Sequence, residues 1–114
     1  MPTLRIQTNW QPGANGPTRL LRAASQKVAE MLGKPERYVM VSYEPNAHML
    51  FGGDDTPLAY LELKSIGLPE DRTTELSATL CELVSEQTGI PQDRVYIEFS
   101  NAERHMWGWN GGTF

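Results

Sequence analysis

Residues 33–43 read GKPERYVMVSY, and 56 positions later residues 89–99 read GIPQDRVYIEF. Both stretches begin with glycine, have proline two residues on, and end in a run in which apolar residues alternate with others. A glycine followed closely by proline is typical of a helix end, and the alternation is typical of a strand. The apolar positions are Val39, Val41 and Tyr43 in the first copy and Val95, Ile97 and Phe99 in the second. The repeat therefore predicts that each half of the chain passes from a helix into a strand here.

The segments before each copy extend the pattern. Apolar residues recur at three- and four-residue steps, which predicts amphipathic helices. Pro17 suits the first turn of one helix, and Glu70 and Asp71 suit the positive end of the other helix dipole. The apolar stripes are Leu20, Leu21, Ala24, Val28, Met31 and Leu32, then Leu76, Leu80, Leu83 and Val84, with Cys81 at the edge. Still earlier, LRIQ at 4–7 matches LELK at 61–64, which predicts a strand before each helix.

The predicted order is β-α-β, a connection over 44–56, and β-α-β again. Strands are expected over 2–8, 38–43, 58–66 and 95–99, and the tail 106–114 is expected to be a short hairpin or loop. A βαβ crossover makes its two strands parallel. The sequence thus predicts an α/β fold, in which two pseudo-symmetric βαβ units form a four-stranded sheet backed by two helices. We expect one domain, 1–114, with an internal repeat of 2–56 and 57–114, and an apolar open sheet face that packs on partner subunits.

Composition excludes several classes of function. With 114 residues, a net charge of -4 and a pI of about 5.1, the chain lacks the basic surface that nucleic acid requires. No apolar run reaches the roughly 18 residues of a membrane span. The single Cys81 and the separated His48 and His105 predict neither a disulfide nor a metal site. The N-terminal stretch lacks the apolar core of a secretory signal, so we expect a cytoplasmic protein, with secretion by a signal-independent route as the alternative.

The chain begins Met1-Pro2. An initiator methionine before a small residue is usually removed, and its removal here would leave a free secondary amine that can act as a base or a nucleophile. The simpler interpretation is that Pro2 merely follows the start codon. The rest of the chain has to decide between the two.

Short motifs in collinear order resemble the macrophage migration inhibitory factor and D-dopachrome tautomerase family over the whole chain. They are Met1-Pro2, Thr8-Asn9, Gly33-Lys34-Pro35 with Tyr38, Phe51-Gly52-Gly53, Ser65-Ile66-Gly67, Asp93-Arg94-Val95-Tyr96-Ile97, Gly108-Trp109-Asn110 and Thr113-Phe114. The resemblance implies a homotrimer with active sites between subunits. It also implies keto-enol tautomerisation of small aromatic 2-keto acids by the N-terminal proline, without metal or organic cofactor.

Matched motif by motif, the resemblance implies a role for each candidate site residue. Pro2 is the base, Lys34 attracts the substrate carboxylate, and the backbone N–H of Ile66 hydrogen-bonds it. Tyr96 enters from the neighbouring subunit. The remaining wall of the pocket is aromatic and comprises Tyr38, Trp107, Trp109 and Phe114. Taken singly, each residue has an ordinary alternative: a cation at a helix end for Lys34, strand packing for the tyrosines, and a hydrophobic interface for the tail.

The chemistry sets a condition on the amine. A prolyl amine in water is mostly protonated at pH 7, so a base there needs a lowered pKa, which apolar surroundings and a nearby cation both provide. Each pKa unit requires about 1.4 kcal/mol of differential interaction. Lys34 is the candidate cation.

Several residues depart from the family pattern. Glu98 stands where asparagine is common, and a carboxylate there would raise the proline pKa and repel an anionic substrate unless it faces a cation or is protonated. Thr3 and Trp107 should reshape the pocket mouth, which favours flat phenylpyruvate-like substrates over dopachrome-type ones. Leu58 and Leu61 replace a Cys-x-x-Cys found in some members, so thiol-disulfide activity is not expected. The arginines Arg72, Arg94 and Arg104 are expected on the solvated surface.

These departures leave a rival interpretation from another class. The chain would then be a cytokine-like signalling or protein-binding module that retains the fold and the pocket without catalysis, since fold alone does not determine function.

Overall fold

The computed structural model describes residues 1–114, and its elements follow the order that the repeat predicts. The strands of the main sheet and the two helices are β1 (Thr3–Thr8), α1 (Gly16–Leu32), β2 (Met40–Pro45), β3 (Ala59–Ile66), α2 (Thr73–Thr88) and β4 (Val95–Ala102). Two short strands, β5 (Gly108–Trp109) and β6 (Gly112–Thr113), close the chain as a hairpin. One of the two conformations expected for the tail, the hairpin, is thereby confirmed.

The sheet has the order β2-β1-β3-β4. β1 runs parallel to β2, and β3 runs parallel to β4, so both predicted crossovers are confirmed. The two halves meet through an antiparallel pairing of the central strands β1 and β3, in which Leu4 lies opposite Leu63 and Ile6 opposite Leu61. The amino end of β1 therefore lies beside the carboxyl end of β3.

The two helices cover one face of this sheet. Leu20, Ala24 and Val28 of α1 are fully buried, and the apolar stripe of α2 is buried with them. They pack on the inward residues of the central strands, which are Leu4, Ile6, Leu61 and Leu63. Each helix ends at a glycine with a positive φ, 63° at Gly33 and 78° at Gly89, a conformation that side chains with a Cβ rarely adopt. No helix is both long and apolar enough to cross a membrane.

The expectation of an apolar open face is wrong. The face away from the helices carries Met40, Ser42 and Glu44 from β2, Thr3, Arg5 and Gln7 from β1, Tyr60, Glu62, Lys64 and Ile66 from β3, and Tyr96, Glu98, Ser100 and Ala102 from β4. Arg5 lies at the middle of this face and contacts Glu44 at 2.8 Å and Glu62 at 2.9 Å. Aliphatic side chains are confined to one end, around Met40 and Ile66.

Two predicted boundaries also differ. β2 begins at Met40 rather than Tyr38, because residues 36–38 form a 3-10 turn in which the Tyr38 N–H donates to the Pro35 carbonyl at 3.1 Å. The second helix begins with a 3-10 turn over Glu70–Arg72 and becomes α-helical at Thr73. The first difference matters for function, because it turns Tyr38 out of the strand and toward the N-terminus.

Candidate active site at the amino end of the central strand

A cavity of about 330 Å³ opens at the amino end of β1. Its walls come from the N-terminus, the turn before β2 and the C-terminal hairpin. The lining residues are Met1, Pro2, Thr3, Arg37, Tyr38, Val39, Met40, Trp107, Gly108, Trp109 and Phe114. The site thus brings together Pro2 with four aromatic candidates that are distant in sequence.

Pro2 is fully buried at this cavity. It directly precedes the central strand, and its carbonyl accepts a hydrogen bond from the Met40 N–H at 3.1 Å. Proline suits this position because it has no N–H that would need a partner. The position is therefore rigid, since the residue is fixed both by the start of the sheet and by its own ring.

The aromatic wall is a cluster of three rings. Trp109 and Phe114 stack with centroids 5.3 Å apart and planes 18° apart. Tyr38 meets both edgewise, at 5.8 Å from Trp109 and 5.9 Å from Phe114. The Phe114 N–H donates to the Trp107 carbonyl at 3.1 Å, so the end of the chain is held against the hairpin. This arrangement presents a flat apolar surface on which an aromatic ligand can pack.

The electrostatics of the cavity disfavour a positive charge at the N-terminus. The pKa of the Met1 amine is lowered, chiefly by burial, then by the positive charges of Lys34 and Arg104. Arg37 is the only charged side chain among the lining residues, and none of these side chains is acidic. An amine here is shifted toward its neutral form, and an anionic ligand is attracted.

Ile66 lies beside this cavity rather than in it. It lines a shallow open depression with Gly67, Glu70 and Arg104, among others. The antiparallel register pairs Thr3 with Lys64. Extending that register by two residues toward the N-terminus places Met1 opposite Ile66. Removal of Met1 would accordingly uncover the backbone next to Ile66.

Tyr96 and Glu98 lie elsewhere in the subunit. Tyr96 pairs with Tyr60 across the β3–β4 ladder. The β1–β3 register places Pro2 opposite Ser65, which is five positions from Tyr60 along β3. This separation is about 17 Å at a strand rise of about 3.3 Å per residue. Its ring contacts Phe51 at a centroid distance of 4.5 Å. Glu98 accepts a 2.6 Å hydrogen bond from the Tyr60 hydroxyl. Neither side chain shares a site with Pro2 within one chain.

Sequence reasoning missed three functional features. Arg37 and Met40 line the cavity, and Arg104 acts on the N-terminal amine. Arg94 is not a solvated surface residue, because its guanidinium is bound to backbone carbonyls of residues 51–57. The position of Arg37 beside Tyr38 was available in the sequence as a signal, whereas no pattern brings residue 94 to that loop.

No group of three or more His, Cys, Asp or Glu side chains is arranged to hold a metal ion.

Comparison with known proteins identifies the family. The model of the macrophage migration inhibitory factor family matches residues 1–114. The chain belongs to the macrophage migration inhibitory factor family. This agrees with the collinear motifs, and it accounts for the tautomerase-superfamily arrangement of the sheet and helices. The family is associated with tautomerase-type isomerase activity and with cytokine-like roles.

Relatives match along the whole chain. The macrophage migration inhibitory factor of Mus musculus is 36% identical over 115 residues, which cover 100% of this chain and 99% of the relative. The Brugia malayi homologue is 38% identical with the same coverage. The crystal structure of a macrophage migration inhibitory factor homologue from Prochlorococcus marinus superposes with a TM-score of 0.91 at 43% identity, covering 98% of each chain.

Proposed function

We propose that this member of the macrophage migration inhibitory factor family is a keto-enol tautomerase of small aromatic 2-keto acids such as phenylpyruvate, with Pro2 as general base once Met1 is removed. The observation that carries the proposal is that Pro2 is buried at an aromatic cavity. The terminal amine of the chain, on Met1, lies near Lys34 and Arg104. Burial and two cations are the conditions that make an amine neutral near pH 7.

Removal of Met1 moves the free amine one residue inward, from a partly exposed position to the fully buried Pro2. Burial is the largest cause of the lowered pKa at Met1, and we expect the same cause to lower the pKa of a free amine at Pro2. A lowered pKa increases the fraction of neutral secondary amine at physiological pH. A positioned base with a pKa near the working pH is the most effective general base.

The reaction moves one proton from carbon to oxygen. The Pro2 nitrogen takes a proton from the carbon next to the substrate carbonyl, which leaves an enolate and a protonated Pro2, and return of that proton to the enolate oxygen gives the enol and restores the free amine. Lys34 and the backbone N–H of Ile66 hold the carboxylate, and the rings of Tyr38, Trp107, Trp109 and Phe114 hold the aromatic group. The cationic surroundings also stabilise the negative charge that develops in the transition state.

A complete site requires a second copy of the chain in this proposal. Tyr96 and Glu98 are too far from Pro2 in their own subunit to contact the same small molecule. Tyr96 is 64% exposed, so its ring is available to a neighbour. We therefore extend the proposal to a homotrimer in which each cavity receives Tyr96, and with it the Glu98 end of β4, from the adjacent subunit.

The test is keto-enol interconversion of phenylpyruvate by protein whose N-terminus is verified by intact mass. Protein that retains Met1 is the first control, because its Pro2 nitrogen is an amide. Its Met1 side chain also lines the cavity, so Pro2→Gly tests the base in a cavity without Met1. We expect activity from the processed protein and a loss of at least about 100-fold both in the control and in Pro2→Gly. Equal activity with and without Met1 would exclude Pro2 as the base.

The second candidate function is a non-catalytic cytokine-like or protein-binding role, and Glu98 favours it. If Glu98 approaches the cavity with Tyr96, its carboxylate opposes the binding of an anionic keto acid. An inactive processed protein that still takes up a neutral aromatic ligand in the cavity would support this role over catalysis.

A further inference from the structure

Arg94 holds the loop over residues 51–57 by its backbone. Its Nη1 donates to the Phe51 carbonyl at 2.9 Å. Its Nη2 donates to the carbonyls of Asp54 at 3.0 Å and Thr56 at 2.9 Å, and Nε lies 3.5 Å from the Pro57 carbonyl. One side chain thus gathers four carbonyls from a seven-residue loop.

This arginine forms no direct ion pair, although its charge contributes to lowering the pKa of the nearby Asp54 carboxyl. It is half-buried, and a guanidinium in that position usually pairs with an acid. Instead its planar array of donors is used on neutral oxygens in several directions. A lysine ammonium cannot reproduce that geometry, because its three donors radiate from one point.

The loop that Arg94 holds is a tight turn closed on itself. Gly52 and Gly53 take positive φ values of 62° and 77°, and Phe51 and Asp54 exchange N–H to carbonyl hydrogen bonds of 2.9 and 3.2 Å. The Arg94 guanidinium also lies 5.1 Å above the Phe51 ring. Both the backbone and the ring of Phe51 are therefore fixed by Arg94.

Phe51 in turn supports Tyr96. The two rings lie 4.5 Å apart with planes 44° apart. Tyr96 is 64% exposed and its hydroxyl makes no hydrogen bond within the chain, so the Phe51 ring is the aromatic contact that selects among its rotamers. Restricting an exposed side chain in advance removes an entropy cost from binding.

We propose that Arg94 is a positioning residue that, through Phe51, sets the orientation of the Tyr96 ring for catalysis. The inference rests on the proposed function, in which Tyr96 completes the cavity of an adjacent subunit. Arg94 touches no substrate in this account. Its effect on turnover passes through two aromatic side chains.

The experiment compares Arg94→Met with Arg72→Met, a matched control on the exposed turn before α2, where Arg72 pairs with Glu75 at 3.1 Å. Both substitutions are made in wild-type protein and in Tyr96→Ala, and kcat/KM for phenylpyruvate is measured alongside molar mass by light scattering. We expect Arg94→Met to lower kcat/KM about tenfold in the wild type, mostly through KM. In Tyr96→Ala we expect no further fall, since the two effects share one route.

Arg94→Lys should recover little of the loss, and Phe51→Leu, a milder change, should reproduce it. An equal fall in both backgrounds would overturn the inference and leave Arg94 as a loop stabiliser. Unchanged kcat/KM in an Arg94→Met protein of normal mass would also overturn it.

A readout independent of turnover separates this inference from the proposed function. In protein labelled with fluorotyrosine, Arg94→Met should shift the Tyr96 resonance and leave that of Tyr43 in place. If the wild-type protein has no tautomerase activity, the proposed function fails, whereas the resonance shift still supports the positioning of Tyr96. An unmoved Tyr96 resonance contradicts the inference whatever the activity.

Discussion

The hydroxyl of Tyr60 on β3 donates a 2.6 Å hydrogen bond to the carboxylate of Glu98 on β4. The same hydroxyl lies 3.2 Å from the Glu62 carboxylate. The hydrogen bond to Glu98 is the main reason that the pKa of Tyr60 is raised to about 12. Glu98, which departs from the family pattern, therefore accepts a hydrogen bond from a phenol and is not paired with a cation.

Replacing Glu98 with Gln should lower the Tyr60 pKa toward the ordinary value of about 10. The carboxylate that accepts the hydrogen bond of the protonated phenol, and so favours that form, is then absent. Ultraviolet titration of the tyrosines measures this shift, with the exposed Glu103→Gln as control. In the wild type, the native state keeps a proton between pH 10 and 12 that the unfolded chain releases. Stability should thus fall with rising pH through that window, and the fall should be weaker in Glu98→Gln. Identical titration curves would contradict the assignment.

Changing Glu98 to Asn should raise kcat/KM for phenylpyruvate if β4 of an adjacent subunit approaches the cavity. The expected gain is several-fold, because one like charge is removed from the path of an anionic substrate. Steady-state kinetics at low ionic strength is the measurement, and raising the salt concentration should reduce the difference. Kinetics unchanged by the substitution would count against any role for Glu98.

The acidic limb of the pH profile of kcat/KM should reflect a terminal amine whose pKa lies below its ordinary value. Replacing Lys34 with Met removes a cation that disfavours the protonated amine, so the limb should move to higher pH. KM should rise as well, because the carboxylate loses a partner. Lys27→Met, within α1, is the control. A limb that stays in place would mean that Lys34 acts on the substrate alone.

Substrate preference should follow the shape of the cavity. Trp107 and Thr3 both line it, and we expect the bulk of the tryptophan to hinder entry of a bicyclic ligand. We expect kcat/KM for phenylpyruvate to exceed that for dopachrome methyl ester, and Trp107→Leu to reduce the ratio. A higher kcat/KM for the dopachrome ester in the wild-type protein would refute this assignment of Trp107.

Sequence reasoning reached the parts of the structure that depend on local pattern. The alternation around Val41 and Ile97 and the glycines at 33 and 89 were sufficient for the strands, the helix ends and the parallel crossovers. It failed where contacts are made at a distance. Nothing local shows that Arg5 finds carboxylates on both neighbouring strands and makes the open face polar. Nor does a local signal show that Arg94 turns back to the loop at Phe51.

The site was reached only in part for the same reason. Motifs indicated Pro2 and the aromatic residues as candidates. The fold brings them together because their segments meet at one end of the sheet, beside the first residue of β1. The position of Tyr38 depended on a 3-10 turn, which apolar alternation does not distinguish from the start of a strand. The distance of Glu98 from Pro2 follows from the β1–β3 and β3–β4 registers, which the sequence did not specify. For Tyr96, the resemblance had already implied entry from a neighbouring subunit.

The antiparallel pairing of β1 and β3 gives the subunit an approximate twofold axis, yet the two equivalent ends of the sheet carry different chemical groups. By the spacing of the repeat, Ala59 is the counterpart of Pro2, and Arg94 is the counterpart of Tyr38. The nitrogen of Ala59 is an internal peptide amide, so this end of the sheet offers no basic main-chain amine. Here Arg94 holds a loop, whereas its counterpart Tyr38 lines an aromatic cavity. Under the proposed mechanism, a chain of two similar halves can place a terminal amine at only one of its two equivalent positions.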